Sequence, residues 1–316
     1  MTTMTHLKRF ITILELRMVL LVLLLALVLS VASPHFLTSS NLYNLLDQSV
    51  VLGIVAIGMT FVVLTGGIDL SVGSVAGMTG IVLGLLLREM PIVPAVGLTL
   101  LVGALTGAIS GALITFFGLA SFVVTLGMLA IGRSLAYVLS GQRSISDIPD
   151  ALSQLVYTEI FGIPLNVVIL LVLYAAAWAY LTHTKGGRTI YALGSNPRAA
   201  RIAGLNTVFY SILPYAVSGM LAAVAVTLIS AQILSIDPLA GNLLELDAIA
   251  AVVIGGASLM GGRGSVVGTL FGVFILVMVR NGMNLLGVSP FWQGTAIGVI
   301  IIAAVLVEKL LAGRTR

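Results

Sequence analysis

The sequence predicts an all-α integral membrane protein of about ten transmembrane helices, and three observations carry that prediction. Charged residues make up 8% of the 316, where a soluble domain has about 25%. Hydrophobic residues make up 59%, which leaves too little polar surface to cover a water-soluble globule. Apolar runs also recur along nearly the whole chain, each close to the length of a bilayer crossing. The 35 glycines and low aromatic content (7%) suit helices packed backbone to backbone and disfavour a strand-period barrel. The absence of cysteine excludes disulfides, thiolate catalysis and cysteine metal sites.

The runs fall at 18–32, 50–65, 72–87, 92–115, 122–139, 165–181, 208–234, 248–260, 266–279 and 291–307. The first follows Lys8, Arg9 and Arg17 as a signal peptide would, but Pro34 directly follows the small pair Ala32-Ser33, so the run reads as a retained span. With the N-terminus inside and every run crossing, Lys8, Arg9, Arg17, Lys185, Arg188, Arg198, Arg201, Arg263, Lys309, Arg314 and Arg316 lie in the cytoplasm. Only Arg88 and Arg143 fall outside, which matches the positive-inside rule. Asp47, Glu89, Asp147, Asp150, Glu159, Asp237, Glu245 and Asp247 are placed outside. The chain is therefore one transmembrane domain over 1–316, with a cytoplasmic tail at 1–17, both termini inside and the main cytoplasmic loop at 183–206. Basic residues scattered in this way set topology; they form no nucleic-acid patch despite a pI of about 9.6.

Two runs are short for a crossing. At about 1.5 Å per residue, 50–65 spans about 24 Å and 248–260 about 20 Å, and each is followed by or ends in a glycine pair. Shifted by 195 positions, Gly66, Gly67, Gly73, Ser74 and Gly77 fall on Gly261, Gly262, Gly268, Thr269 and Gly272. The reading is a weak internal repeat, 54–77 against 249–272, with Gly66, Gly67, Gly73, Gly261, Gly262 and Gly264 at broken-helix or re-entrant turns. Either these glycines break helices that line a substrate path, or they only permit tight crossings.

The missing chemistry narrows the function. Lys8, Lys185 and Lys309 follow Leu, Thr and Glu, so no P-loop lysine stands behind a glycine. His6, His35 and His183 lack zinc-helix spacing, and there is no Gly-x-Ser-x-Gly elbow. No catalytic residue, metal site or cofactor is assigned to this chain. Asp69, Arg133 and Arg280 are the ionisable groups at membrane depth, and each such group is a functional candidate. Asp69 also suits a cap on the helix that follows it. The arginines suit pairing with a carboxylate, bonding to backbone carbonyls or snorkelling to an interface.

The stretch Thr65-Gly66-Gly67-Ile68-Asp69-Leu70-Ser71-Val72-Gly73-Ser74 resembles the signature of the monosaccharide branch of bacterial ABC importer permeases. That branch covers the ribose, xylose, galactose and arabinose type and is related to branched-chain amino-acid permeases. Ser121-Phe122-Val123-Val124-Thr125-Leu126-Gly127, Gly186-Gly187-Arg188-Thr189-Ile190-Tyr191-Ala192-Leu193-Gly194-Ser195-Asn196 and Gly261-Gly262-Arg263-Gly264-Ser265-Val266-Val267-Gly268-Thr269 are similar to later family segments in the same order. The resemblance covers about residues 40 to 310. It implies an inner-membrane transport subunit rather than an enzyme, working with a second permease copy, a periplasmic sugar-binding protein and a separate ABC ATPase that holds the ATP and magnesium.

Such a subunit must offer the ATPase a cytoplasmic element. Asn196, Pro197, Arg198, Ala199, Ala200, Arg201 and Gly204 suit a short helix, with Asn196 as cap, Pro197 at the first position and Gly204 past the end. It resembles the Glu-Ala-Ala…Gly coupling loop of ABC importers, with Arg198 in place of Glu and a shorter gap to Leu213-Pro214. Asn41, Asn44, Gln48, Asp69, Ser71, Phe122, Thr125, Gln232, Asn242, Asn281, Asn284, Trp292 and Gln293 are candidates for the sugar path. Amides exchange hydrogen bonds with hydroxyls, and aromatic faces stack on sugars. A gradient-driven secondary carrier is the alternative, disfavoured by the single acid at membrane depth. Within the resembled family, the cargo is a monosaccharide, a nucleoside or a sugar-like signal.

Overall fold

A computed structural model describes residues 2–313 as a nearly all-helical bundle. Its elements are α1 (Thr2–Ala32), α2 (Ser39–Leu64), α3 (Val72–Glu89), α4 (Ile92–Phe117), α5 (Ser121–Ser140), a 3-10 turn (Asp150–Ser153), α6 (Gln154–Tyr157), β1 (Glu159–Ile160), β2 (Ile163–Pro164), α7 (Leu165–His183), α8 (Lys185–Ser195), α9 (Pro197–Ile202), α10 (Thr207–Ile233), α11 (Leu244–Ile254), α12 (Val266–Leu285) and α13 (Phe291–Gly313). Each of the ten apolar runs holds a helix.

Seven of these helices, α2, α3, α4, α5, α7, α10 and α12, are long and apolar enough to cross a membrane. The apolar stretches Leu16–Ala32 and Phe291–Ala303 are shorter. The remaining helix, α11, has 11 residues, about 16 Å of rise and half a crossing. Alone, α11 is therefore too short for a full crossing.

The first short run is corrected: α2 is 26 residues long because it starts at Ser39, well before the apolar pattern begins. Thr38 Oγ1 caps it by accepting from the Asn41 amide at 3.3 Å, and Asn41 and Asp47 find partners on neighbouring helices. The second run is also shifted. α11 ends at Ile254, so Gly261 and Gly262 lie inside the following turn rather than at the helix end.

The long helices from α2 to α10 alternate in direction, and α12 runs parallel to α10 with the short α11 between them, as particular contacts show. Leu64 at the end of α2 meets Gly262, ahead of α12, while Asn41 near the start of α2 pairs with Asn281 near the end of α12. Ser121 at the start of α5 bonds to Ile68 ahead of α3, so α3 and α5 run the same way with α4 returning between them. The bundle thus has one end carrying α8, α9 and both glycine-rich turns, and an opposite end carrying residues 141–164 with the β1–β2 hairpin.

Small residues set the helix spacing. Gly103, Gly107 and Gly111 form one stripe on α4, and their Cα atoms lie against the backbone of α10 at Gly219, Tyr215 and Ile212. Thr60 on α2 shares a 2.8 Å hydrogen bond with Thr269 on α12. The outward faces of α4 and α5 expose Leu101, Leu105, Ile109, Val123, Leu126 and Ile131, a surface suited to lipid.

Candidate functional site

The turn between α2 and α3 is built around Asp69, which is 2% exposed. Its carboxylate accepts from the Ser71 amide at 3.0 Å, the Ser71 hydroxyl at 2.6 Å and the Ser218 hydroxyl of α10 at 2.8 Å. The residue capping α3 is Ser71, whose side chain makes no cap bond. The expectation of a helix cap is therefore corrected: Asp69 closes the turn and ties it to α10. Ser121 and Thr125 on α5 hold the amide and carbonyl of Ile68, so one turn connects three helices.

The break in the path of α11 lies ahead of it. Residues 235–243 leave the helical conformation between Leu234 (φ 48°) and Leu243 (φ 63°), two left-handed leucines that cost about 1–2 kcal/mol each. The segment descends along α3, passing Gly84 at Ile236 and Gly77 at Pro238 and Ala240, and reaching Gly73 at Gly241. Arg133 of α5 donates to the carbonyls of Pro238 at 2.6 Å and Ala240 at 3.3 Å. The guanidinium replaces backbone donors that an unwound segment lacks.

This descent corrects the placement of two acids. Glu245 and Asp247 do not lie outside but on the first turn of α11, each 8% exposed, because the unwound residues carry the helix start into the bundle. Arg280 of α12 donates to both oxygens of Asp247 at 2.7 Å. Glu245 Oε2 faces Gly73 and has no hydrogen-bond partner among the described residues. Buried acids therefore number at least three with Asp69, where the sequence suggested one.

Several path candidates are occupied by structural bonds. Asn41 and Asn281 form a reciprocal amide pair at 3.0 and 2.7 Å, and the Asn41 amide also donates to the Phe36 carbonyl. Asn41→Ala is expected to lower stability by about 1 kcal/mol by leaving Asn281 unpaired, read as a lower unfolding midpoint in detergent; Asn41→Ala/Asn281→Leu should regain part of it. Gln232 donates to Asp47 at 2.5 Å, Asn166 of α7 donates to the other Asp47 oxygen at 2.7 Å, and Tyr157 donates to the Gln232 carbonyl at 3.2 Å. This knot joins α2, α7 and α10 at the opposite end. Gln293 donates to Asn284 at 2.7 Å. Asn44, Gln48, Phe122, Asn242, Asn284 and Trp292 are exposed, and the structure does not gather them into one pocket.

The helix foreseen over 196–205 is present as α9. Asn196 Oδ1 accepts from the Ala199 amide at 3.0 Å, Pro197 stands at the first position, and Gly204 follows the end with φ 77°. Arg198, Ala199, Arg201 and Ile202 are exposed, Ile202 to 89%, while Ala200 is buried. A nearly bare isoleucine beside Arg198 and Arg201 on the same short helix is a surface shaped for a protein contact.

The family model described as branched-chain amino acid transport system / permease component matches residues 41–305. The chain belongs to this family. The permease is 40% identical to the ribose import permease protein of Escherichia coli (strain K12) over 302 residues, 94% of each chain. It is 38% identical to the ribose import permease protein of Bacillus subtilis (strain 168), over 90% of each chain. Identity to a probable ABC transporter permease protein of Escherichia coli (strain K12) is 37%, over 98% of this chain and 94% of the other. No solved structure matches. The permease is thus a transport component rather than an enzyme, and a multi-pass inner-membrane protein.

Sequence reasoning missed Asp47, Asn166, Ser218, Glu245 and Asp247 as interior partners of the permease. It also missed α8, whose buried Gly186, Thr189, Ile190 and Leu193 recur at the i, i+3, i+4, i+7 spacing of an amphipathic helix. That spacing was the available signal.

Proposed function

We propose that this permease is the membrane-spanning subunit of an ABC importer for a monosaccharide, with ribose the first sugar to test because relatives carry that name. Two copies enclose the path, a periplasmic binding protein delivers the sugar at the end bearing Asp47, and a separate ATPase holding ATP and magnesium grips α9 from the cytoplasm. The chain itself needs no cofactor. It works as one transmembrane unit whose 54–77 and 249–272 segments are related, both termini lying on the cytoplasmic side.

The observation that carries the reading is α9. A helix capped at both ends, with Ile202 89% exposed next to Arg201, has no purpose in a subunit that works alone. The exposed Asn44, Gln48, Phe122, Asn242 and Trp292 are the residues left to meet the sugar, whereas Asn41, Asn281, Asp69, Ser71 and Thr125 are engaged inside the bundle and Asn284 with Gln293.

The test is uptake into vesicles holding the permease. Ribose should enter only with ATPase, binding protein and ATP together, and Ile202→Asp should weaken ATPase association at least tenfold by placing a charge in the contact. Uptake by the permease alone on a proton gradient overturns the proposal.

A further inference from the structure

α8 joins the exposed α9 to both glycine-rich turns at once. Asn196 ends α8 and caps α9, so no flexible linker separates the two helices. The last turn of α8 sits in the notch where the turns meet: Gly194 lies against the Leu64 carbonyl and the Gly262 amide. The Tyr191 hydroxyl donates to the Gly264 carbonyl at 3.0 Å. The turns are themselves joined, the Gly262 amide donating to the Leu64 carbonyl at 2.9 Å.

Beyond that notch, each turn leads to a different moving part. The first is tied through Asp69 to α10 and through Ile68 to α5. The second leads to α11 and the unwound residues ahead of it. A side chain at position 194 would force α8 off both turns, and loss of the Tyr191 hydroxyl would remove the side-chain hydrogen bond between α8 and the second turn.

We infer that Tyr191 and Gly194 are positioning residues for transport: they transmit displacement of α9 to both glycine-rich turns, so that ATP use and opening of the path stay linked. The inference rests on the importer reading given above. It assigns these residues no contact with sugar or ATP.

The experiment uses the permease with its ATPase and binding protein in vesicles and measures ribose taken up per ATP hydrolysed. Tyr191→Phe removes one hydroxyl and is expected to co-purify with the ATPase as the parent does, yet to lower the uptake-to-hydrolysis ratio about fivefold or more. Gly194→Ala should lower it further. The chain has no cysteine, so a fluorescent label on Met260→Cys, a position 86% exposed in the second turn, reports motion there directly. ATP should change its emission in the Tyr191 background and change it much less in Tyr191→Phe.

A ratio and label response unchanged by Tyr191→Phe, with or without a lower unfolding midpoint, overturns the transmission role and leaves the importer reading intact. Absence of ATP-dependent uptake in the parent overturns both.

Discussion

Arg280→Met should lower the stability of the permease by about 3 kcal/mol, read from the unfolding midpoint in detergent. Removing one partner of a buried ion pair costs roughly 3–5 kcal/mol because the other charge is stranded. Here Asp247 has 11% of its side chain exposed and would lose the only donor bonded to its two oxygens among the described residues. The lower end of the range applies because the Arg280 side chain keeps 32% of its surface open. The partner change decides the interpretation. Asp247→Leu/Arg280→Met removes both charges from the α11–α12 contact, and replacing a buried pair by apolar residues is often neutral, so the double variant should recover most of the loss. Failure to recover would mean that Arg280 acts through its packing rather than its charge.

Gly107→Ala should destabilise by about 2 kcal/mol, while Gly97→Ala on the same helix should stabilise by about 0.5–1 kcal/mol. The two substitutions share the same gain in helix propensity, about 1 kcal/mol over glycine. They differ in surroundings: a Cβ at Gly97 meets nothing, whereas one at Gly107 runs into the Tyr215 carbonyl and the Ala216 backbone. Backbone cannot swing aside as a side-chain tip can, so α4 and α10 must separate, at an overpacking cost of roughly 1–3 kcal/mol or more. Opposite signs in one thermal-unfolding series would isolate helix contact from propensity. Stabilisation at both sites would mean that the α4–α10 contact is looser than the stripe Gly103, Gly107, Gly111 indicates.

The helices were legible in the sequence where their causes are local. Long apolar runs must satisfy their backbone internally, and each of the ten holds a helix. The caps of α9, Asn196 with Pro197 at one end and Gly204 at the other, are set within a few residues and were foreseen in place. Elements defined by distant partners were not legible. α2 starts early because Asn41 meets Asn281, more than two hundred residues away. The unwound residues 235–243 read Ser-Ile-Asp-Pro-Leu-Ala-Gly-Asn-Leu; Asp-Pro and Gly-Asn signal a break, but nothing in that string announces Leu234 and Leu243 in left-handed conformation. Arg133, from another helix, supplies the donors that hold it there. Glu245 and Asp247 were misplaced for the same reason, since acids beside an apolar run look like a loop until the unwound segment carries them inside.

The bond from the Gly262 amide to the Leu64 carbonyl also bears on the order in which the molecule is built. Leu64 ends an early helix, and its terminal carbonyl has no intrahelical donor. Its partner is synthesised only after most of the bundle has emerged and inserted. Until then the first glycine-rich turn stands without its mate. Closing a contact between such distant segments comes late because the chain entropy must be spent before the bond forms. The junction that gathers α2, α8 and α12 is thus a final act of assembly, and a chain ending before residue 262 would span the membrane yet leave that end of the bundle unjoined.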